Sequence, residues 1–146
     1  MREAGRIVAF AVRKAFSALE QGITTRELDD ITRRAIESEG AKPGFLGLYG
    51  FSATACISIN EEIVHGIPGD RVVQPGDLVT MDCGAIVGGY NSDYAVTQVV
   101  GPTTVAKDDL IDIWIATGYF RLQDWSETVA IAHEHEVQLW AALDDS

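Results

Sequence analysis

Leu78-Val79-Thr80-Met81-Asp82-Cys83-Gly84-Ala85-Ile86-Val87-Gly88-Gly89-Tyr90-Asn91-Ser92-Asp93-Tyr94-Ala95-Val96-Thr97-Gln98-Val99-Val100 is the stretch on which the fold turns. Two runs rich in β-branched and apolar residues flank a Gly-Gly dipeptide, which reads as a hairpin with strands at 78–87 and 90–100. A turn centred between Gly88 and Gly89 pairs residues whose numbers sum to 177. Asp93 then faces Gly84, and Asp82 faces Ala95. Asp82 and Gly84 are two apart on one strand, so they share a face. The two carboxylates become diagonal neighbours with Cα atoms about 7 Å apart. Glycine opposite Asp93 leaves room for another group to approach.

Aspartate is disfavoured inside a strand, so this pair asks for a reason. Two like charges that close repel unless a cation lies between them or one is protonated. Hard oxygen ligands suit a divalent metal. A solvated strand face, where acids cost little, explains the same spacing, and spacing alone leaves both readings open. Two carboxylates do not make a closed site, so further ligands must come from elsewhere.

Upstream, 55–59 and 62–65 read as short strands interrupted at Asn60. Pro68-Gly69-Asp70 and Pro75-Gly76-Asp77 read as turns. Residues 3–20 read as a helix with Val8, Val12, Phe16 and Leu19 on one face, stopped by Gly22. Thr24-Thr25-Arg26-Glu27 has the form of a capping box. A second helix is expected over 25–38, burying Leu28, Ile31 and Ile36, with Gly40 and Pro43 ending it. Residues 43–53 form a glycine-rich loop carrying Phe45, Leu48, Tyr49 and Phe51. That loop is either a satellite of the core or one wall of a small-molecule pocket.

The composition sets bounds on the rest. At 146 residues, 47% hydrophobic and 23% charged, the chain is an ordinary globular one of about one domain. Its net charge of -11 leaves little to neutralise phosphates, which argues against nucleic-acid binding. No apolar run reaches the ~18 residues a bilayer span needs, and the first residues lack a signal-peptide pattern. A cytoplasmic protein with no membrane partner is the expectation. Cys56 and Cys83 are expected to be reduced, buried thiols.

The charge is unevenly placed. Residues 1–107 carry 13 acids and 10 bases, whereas 108–146 carry 9 acids and a single base, Arg121. Trp114, Trp125 and Trp140 all lie in that second part. It is expected to form two helices, near 104–116 and 124–143. The chain is therefore divided at 107, with 108–146 an atypical acidic tail.

Some residues remain ambiguous by themselves. His65 closes Glu61-Glu62-Ile63-Val64-His65-Gly66-Ile67-Pro68. It is either structural or placed to donate a proton or hydrogen bond to a polarised carbonyl. His133 and His135 sit two apart rather than four, on different helix faces, and read as solvated surface. There is no GxSxG, P-loop or GxGxxG motif.

Together these motifs carry a resemblance. Residues 1–101 resemble the N-terminal half of a type I methionine aminopeptidase, a pita-bread metallopeptidase. The matching stretches are Met1–Val8, Gly22-Ile23-Thr24-Thr25-Arg26-Glu27-Leu28-Asp29, Cys56 through Pro68, Gly76-Asp77-Leu78-Val79, and Met81-Asp82-Cys83-Gly84 on to Asp93 and Thr97. The resemblance implies an α+β fold: half of a pita-bread domain, two helices followed by an antiparallel sheet, with an atypical helical tail. It implies a bidentate metal ligand at Asp82 and a metal-bridging carboxylate at Asp93. His65 would contact the substrate and steady the scissile amide. Phe45, Phe51 and Cys56 would line the pocket for a methionine side chain, with Leu48 where the family often has an aromatic residue. Two divalent ions are implied (cobalt, manganese, iron, zinc or nickel). The implied substrate is the N-terminal methionine of nascent polypeptides, met at or near the ribosome.

The family's remaining ligands, one histidine and two glutamates, and a second substrate-contacting histidine belong to a second half-domain. No GHGIG-type stretch occurs in this chain, and the composition break near 108 fits a truncation, a frameshifted tail or a fusion. The expectation is a methionine aminopeptidase chain that is weakly active or inactive alone. The alternatives are a non-catalytic pita-bread binding protein and an X-Pro peptidase of the same fold.

Overall fold

A computed structural model describes residues 1–101. The chain divides into two units, Met1–Thr103 and Thr104–Ser146. The helices expected beyond 104, the three tryptophans, His133 and His135 lie outside the described residues.

The first unit opens with α1 (Arg2–Ser17) and α2 (Thr25–Ser38). Helix α1 buries Ala4, Ile7, Val8, Ala11, Val12 and Ala15, a stripe at helical spacing. It ends three residues earlier than the expected 20. The amides of Ala18 and Leu19 bond the carbonyls of Ala15 and Phe16 at 3.0 and 3.1 Å, tightening the last turn before Gly22 at φ 96°. Helix α2 starts as the capping box requires. Thr24 Oγ1 accepts from the Glu27 amide at 3.2 Å, and the Glu27 carboxylate accepts from the Thr24 amide at 2.8 Å. These bonds from Thr24 hold the Glu27 carboxyl below the usual range.

Leu28 and Ile36 are buried as expected, but Ile31 is only half-buried. Thr32 takes the inward position in its place. Its hydroxyl is buried at no polar cost because it donates to the Leu28 carbonyl at 2.8 Å.

Four strands follow: β1 (Lys42–Pro43), β2 (Ala55–Ile59), β3 (Leu78–Val87) and β4 (Tyr90–Val99). All pairings are antiparallel, with β4 along one edge of β3 and β1 and β2 along the other. Gly88 and Gly89 turn the hairpin at φ 55° and 82°, both left-handed. Two positive φ values suit the turn that matches strand twist. The register is the one the sequence predicts: Gly84 pairs with Asp93 and Asp82 with Ala95.

Alternation on β3 splits the sheet into two faces. Val79, Met81, Cys83 and Ala85 are fully buried, joined by Ile57 and Ile59 of β2, and both helices cover them. Burying each of the valine, isoleucine and methionine side chains stabilises the fold by ~1.5–3 kcal/mol. Leu78, Thr80, Asp82, Gly84 and Ile86 point the other way. No helix among the described residues is long and apolar enough to cross a membrane.

Two elements differ from expectation. Residues 62–65 are not a strand. Instead the Glu62 carboxylate turns back to accept the Ile59 amide at 2.9 Å, and Val64 and His65 sit at φ 37° and 54°. A side-chain bond to the backbone has replaced the ladder. Lys42–Pro43, expected to lie outside any strand, pairs with Ile86 and Ala85 at the edge of β3, where a proline is tolerated.

Candidate metal centre

Asp82 is half-buried on β3, and Asp93 is exposed on β4. Asp82 Oδ1 is buried with no hydrogen-bond partner. Burial, and after it the Asp93 carboxyl group alongside, pushes Asp82 up to about 7. A carboxylate so placed is costly to ionise unless a cation compensates it. The donor chemistry of the pair therefore fits a divalent ion, with an unpaired oxygen as the sign of a missing partner. Two oxygen-bearing groups fall short of a coordination shell, and among the described residues no group of three or more His, Cys, Asp or Glu side chains is placed to hold a metal.

Cys56 stands directly across from Asp82, one strand over. Its thiol is 5% exposed, and burial followed by the charges of Asp82 and Asp93 raises it to about 11. Cys83 lies on the opposite, core face, its thiol pushed up by burial first. Both cysteines are free and buried, as expected.

The space opposite Asp93 is filled from the 43–51 loop. The Gly44 amide donates to the Gly84 carbonyl at 2.8 Å, and a Cβ on Gly84 would meet Phe45 Cε1 at 3.0 Å. A cavity of about 540 Å³ opens there, with Phe45, Leu48, Ser92 and Asp93 on its wall. Phe45 is thus beside Asp93, together with Leu48. Phe51, Cys56 and His65 are not on that wall. Phe51 instead closes its own loop, its carbonyl accepting from the Gly47 amide at 2.8 Å.

His65 is exposed. Its neighbour Gly66 ties it to β2: the Gly66 carbonyl accepts the Ile57 amide at 2.9 Å, and the Gly66 amide donates to Ser58 Oγ at 3.2 Å. A Cβ at Gly66 would lie 2.2 Å from the Ile57 carbonyl oxygen, so only glycine allows this approach. His65 is therefore anchored at the outer edge of β2, next to the strand positions that carry Ile57 and Ser58.

That outer edge holds a residue the sequence analysis missed. The amides of Ala55, Ile57 and Ile59 point away from β3. They are taken in turn by Asp29 Oδ1 at 2.7 Å, the Gly66 carbonyl at 2.9 Å and the Glu62 carboxylate at 2.9 Å. Asp29 also accepts the Thr54 amide at 2.9 Å. Burial raises its carboxyl group, partly offset by these backbone bonds. The available signal was helical spacing: Asp29 falls on the face of α2 that carries Thr25, Thr32 and Ile36.

The profile of metallopeptidase family M24 matches residues 1–117. Methionine aminopeptidase 1 of Bacillus subtilis (strain 168) is 44% identical over 124 residues, which are 85% of this chain and 50% of that protein. Methionine aminopeptidase 1 of Mycobacterium tuberculosis (strain CDC 1551 / Oshkosh) is 43% identical over 111 residues, 75% of this chain and 42% of that one. Among solved structures, the methionine aminopeptidase of Thermotoga maritima superposes with a TM-score of 0.75 at 34% identity, over 77% of this chain and 46% of that chain. The prolidase of Pyrococcus furiosus gives 0.66 at 29% identity, over 76% and 32%. These neighbours share the two-helix and antiparallel-sheet architecture, and the chain spans about half the length of the curated relatives it matches. On the profile match and the identities to its relatives, the chain belongs to metallopeptidase family M24.

Proposed function

We propose that this chain carries the first half of a methionine aminopeptidase site, which removes the N-terminal methionine of nascent proteins in the cytoplasm. The observation that carries the reading is the diagonal pair Asp82 and Asp93, with Asp82 Oδ1 buried and unpartnered. In this reading Asp82 and Asp93 hold a pair of divalent metals, and their mutual repulsion is what the metals relieve. When bound, such metals polarise a carbonyl and lower the pKa of a water toward neutrality. His65, on its glycine-pinned turn, donates a hydrogen bond to the substrate amide as charge develops there. Phe45, with Leu48 beside it, supplies the apolar wall for the methionine side chain. Two of the family's five metal ligands lie among the described residues, so turnover by the chain alone is weak or absent.

The test is hydrolysis of a methionine-leading peptide against an X-Pro peptide, with manganese or cobalt supplied. Slow release of methionine from the first alone supports the reading. Preference for the X-Pro peptide moves the assignment to the prolidase branch. A folded chain that binds peptide, takes up no manganese or cobalt and cleaves neither peptide is a binding protein on the same fold.

A further inference from the structure

We propose that Asp29 is a positioning residue for this site: from α2, its Oδ1 fixes the entrance to β2 through the Thr54 and Ala55 amides and so sets Cys56 against Asp82. Both amides converge on the same oxygen, at 2.9 and 2.7 Å. Thr54 and Ala55 are fully buried, so water cannot replace the acceptor. The bonds span 25 and 26 residues and tie a rigid helix to a strand. Cys56 follows immediately and pairs with Asp82. The rest of the β2 edge is held by the segment that carries His65, through Gly66 and Glu62. Among the described residues, Asp29 is the one clamp at this edge that comes from the helical layer, and it acts where β2 first comes alongside Asp82. Its role is that of an acceptor, because one oxygen does all the work.

The proposal rests on the metallopeptidase reading for the meaning of the site, but its test does not. The intact chain is labelled with a maleimide, and modification of Cys56 and Cys83 is followed separately by peptide mass spectrometry. Asp29→Leu keeps the branching of the side chain, with methyl groups in place of the oxygens, and removes the acceptor; two orphaned amides should speed Cys56 labelling about tenfold or more. Cys83, on the core face, should stay protected. Asp29→Asn keeps a carbonyl oxygen that accepts both amides, and should stay within about twofold of the parent chain. Equal labelling of Asp29→Asn and Asp29→Leu would overturn the acceptor role, as would protection of Cys56 in Asp29→Leu. If Asp29→Leu releases both thiols together, Asp29→Glu decides, since it keeps the charge and shifts the oxygens by one methylene. Selective labelling of Cys56 in that variant supports the clamp, and parent-like protection, or release of both thiols together, ends it. Manganese titration of the same variants separates the two readings. Loss of manganese affinity in Asp29→Leu but not Asp29→Asn connects the clamp to the metal site. Absence of manganese binding in the parent chain sinks the metallopeptidase reading and leaves the thiol result standing.

Discussion

Gly84 stands directly across from Asp93, and its missing side chain is the reason the 43–51 loop reaches Asp93. An added Cβ would lie 2.8 Å from the Ser92 carbonyl oxygen and 3.0 Å from Phe45 Cε1. The first neighbour is backbone and cannot swing aside. Gly84→Ala should therefore destabilise the chain by about 1–3 kcal/mol through overpacking. The measurement is the urea midpoint, with Asp93 chemistry reported by manganese affinity. A midpoint within error of the parent would show that the sheet yields at this position.

The raised Asp82 carboxyl group gives a pH dependence of definite sign. A carboxyl whose folded pKa is about 7, against a reference of 3.8, binds its proton more tightly when folded. The folded chain then holds more protons than the unfolded one between those values, so stability falls as pH rises through that window. In metal-free buffer the urea midpoint should be higher at pH 5 than at pH 8. Asp93→Asn removes the neighbouring charge and should flatten the slope. A midpoint that rises from pH 5 to 8 in the parent chain would contradict the pairing.

Much of this was legible because local chemistry fixed it. Gly88-Gly89 admits the left-handed turn, the turn fixes the register, and the register places Asp82 and Asp93. Thr24 and Glu27 likewise fix the start of α2. The sequence misled where a polar side chain bonded backbone. Glu62-Ile63-Val64-His65 carries two β-branched residues as a strand does, yet the Glu62 carboxylate takes an edge amide and turns the chain away. Asp29 shows no partner in the sequence, because Thr54 and Ala55 are brought to it only by the tertiary fold. Lys42–Pro43 is a strand only through Gly44 meeting Gly84.

Metal binding should be weak and should depend on the aspartates. With two protein ligands among the described residues, water must fill the remaining positions, and affinity should fall well below that of a complete site. Manganese or cobalt titration by calorimetry should show low-affinity binding in the parent chain and none in Asp93→Ala. Tight binding that survives Asp93→Ala would place the ligands elsewhere, with His133 and His135 the next residues to replace.

The turn that carries His65 stores strain. Val64 and His65 follow one another at φ 37° and 54°, and a β-branched residue in that region is a rare outlier. Each such residue costs about 1–3 kcal/mol unless its surroundings impose it. They do so here: Glu62 holds one side of the turn by its bonds to Ile59 and Arg71, and Gly66 holds the other against Ile57. Val64 is 46% exposed, so its side chain contributes little packing to offset the strain. Val64→Gly should relieve most of the cost while adding about 0.5–1 kcal/mol of chain entropy to lose on folding. The expected net result is a stability gain of up to about 1 kcal/mol. The Gly66 amide should exchange faster with solvent, because the turn that fixes His65 is no longer forced. A loss of more than about 1 kcal/mol would mean that the Val64 side chain anchors the turn, and that His65 is held by packing rather than by the clamps on either side.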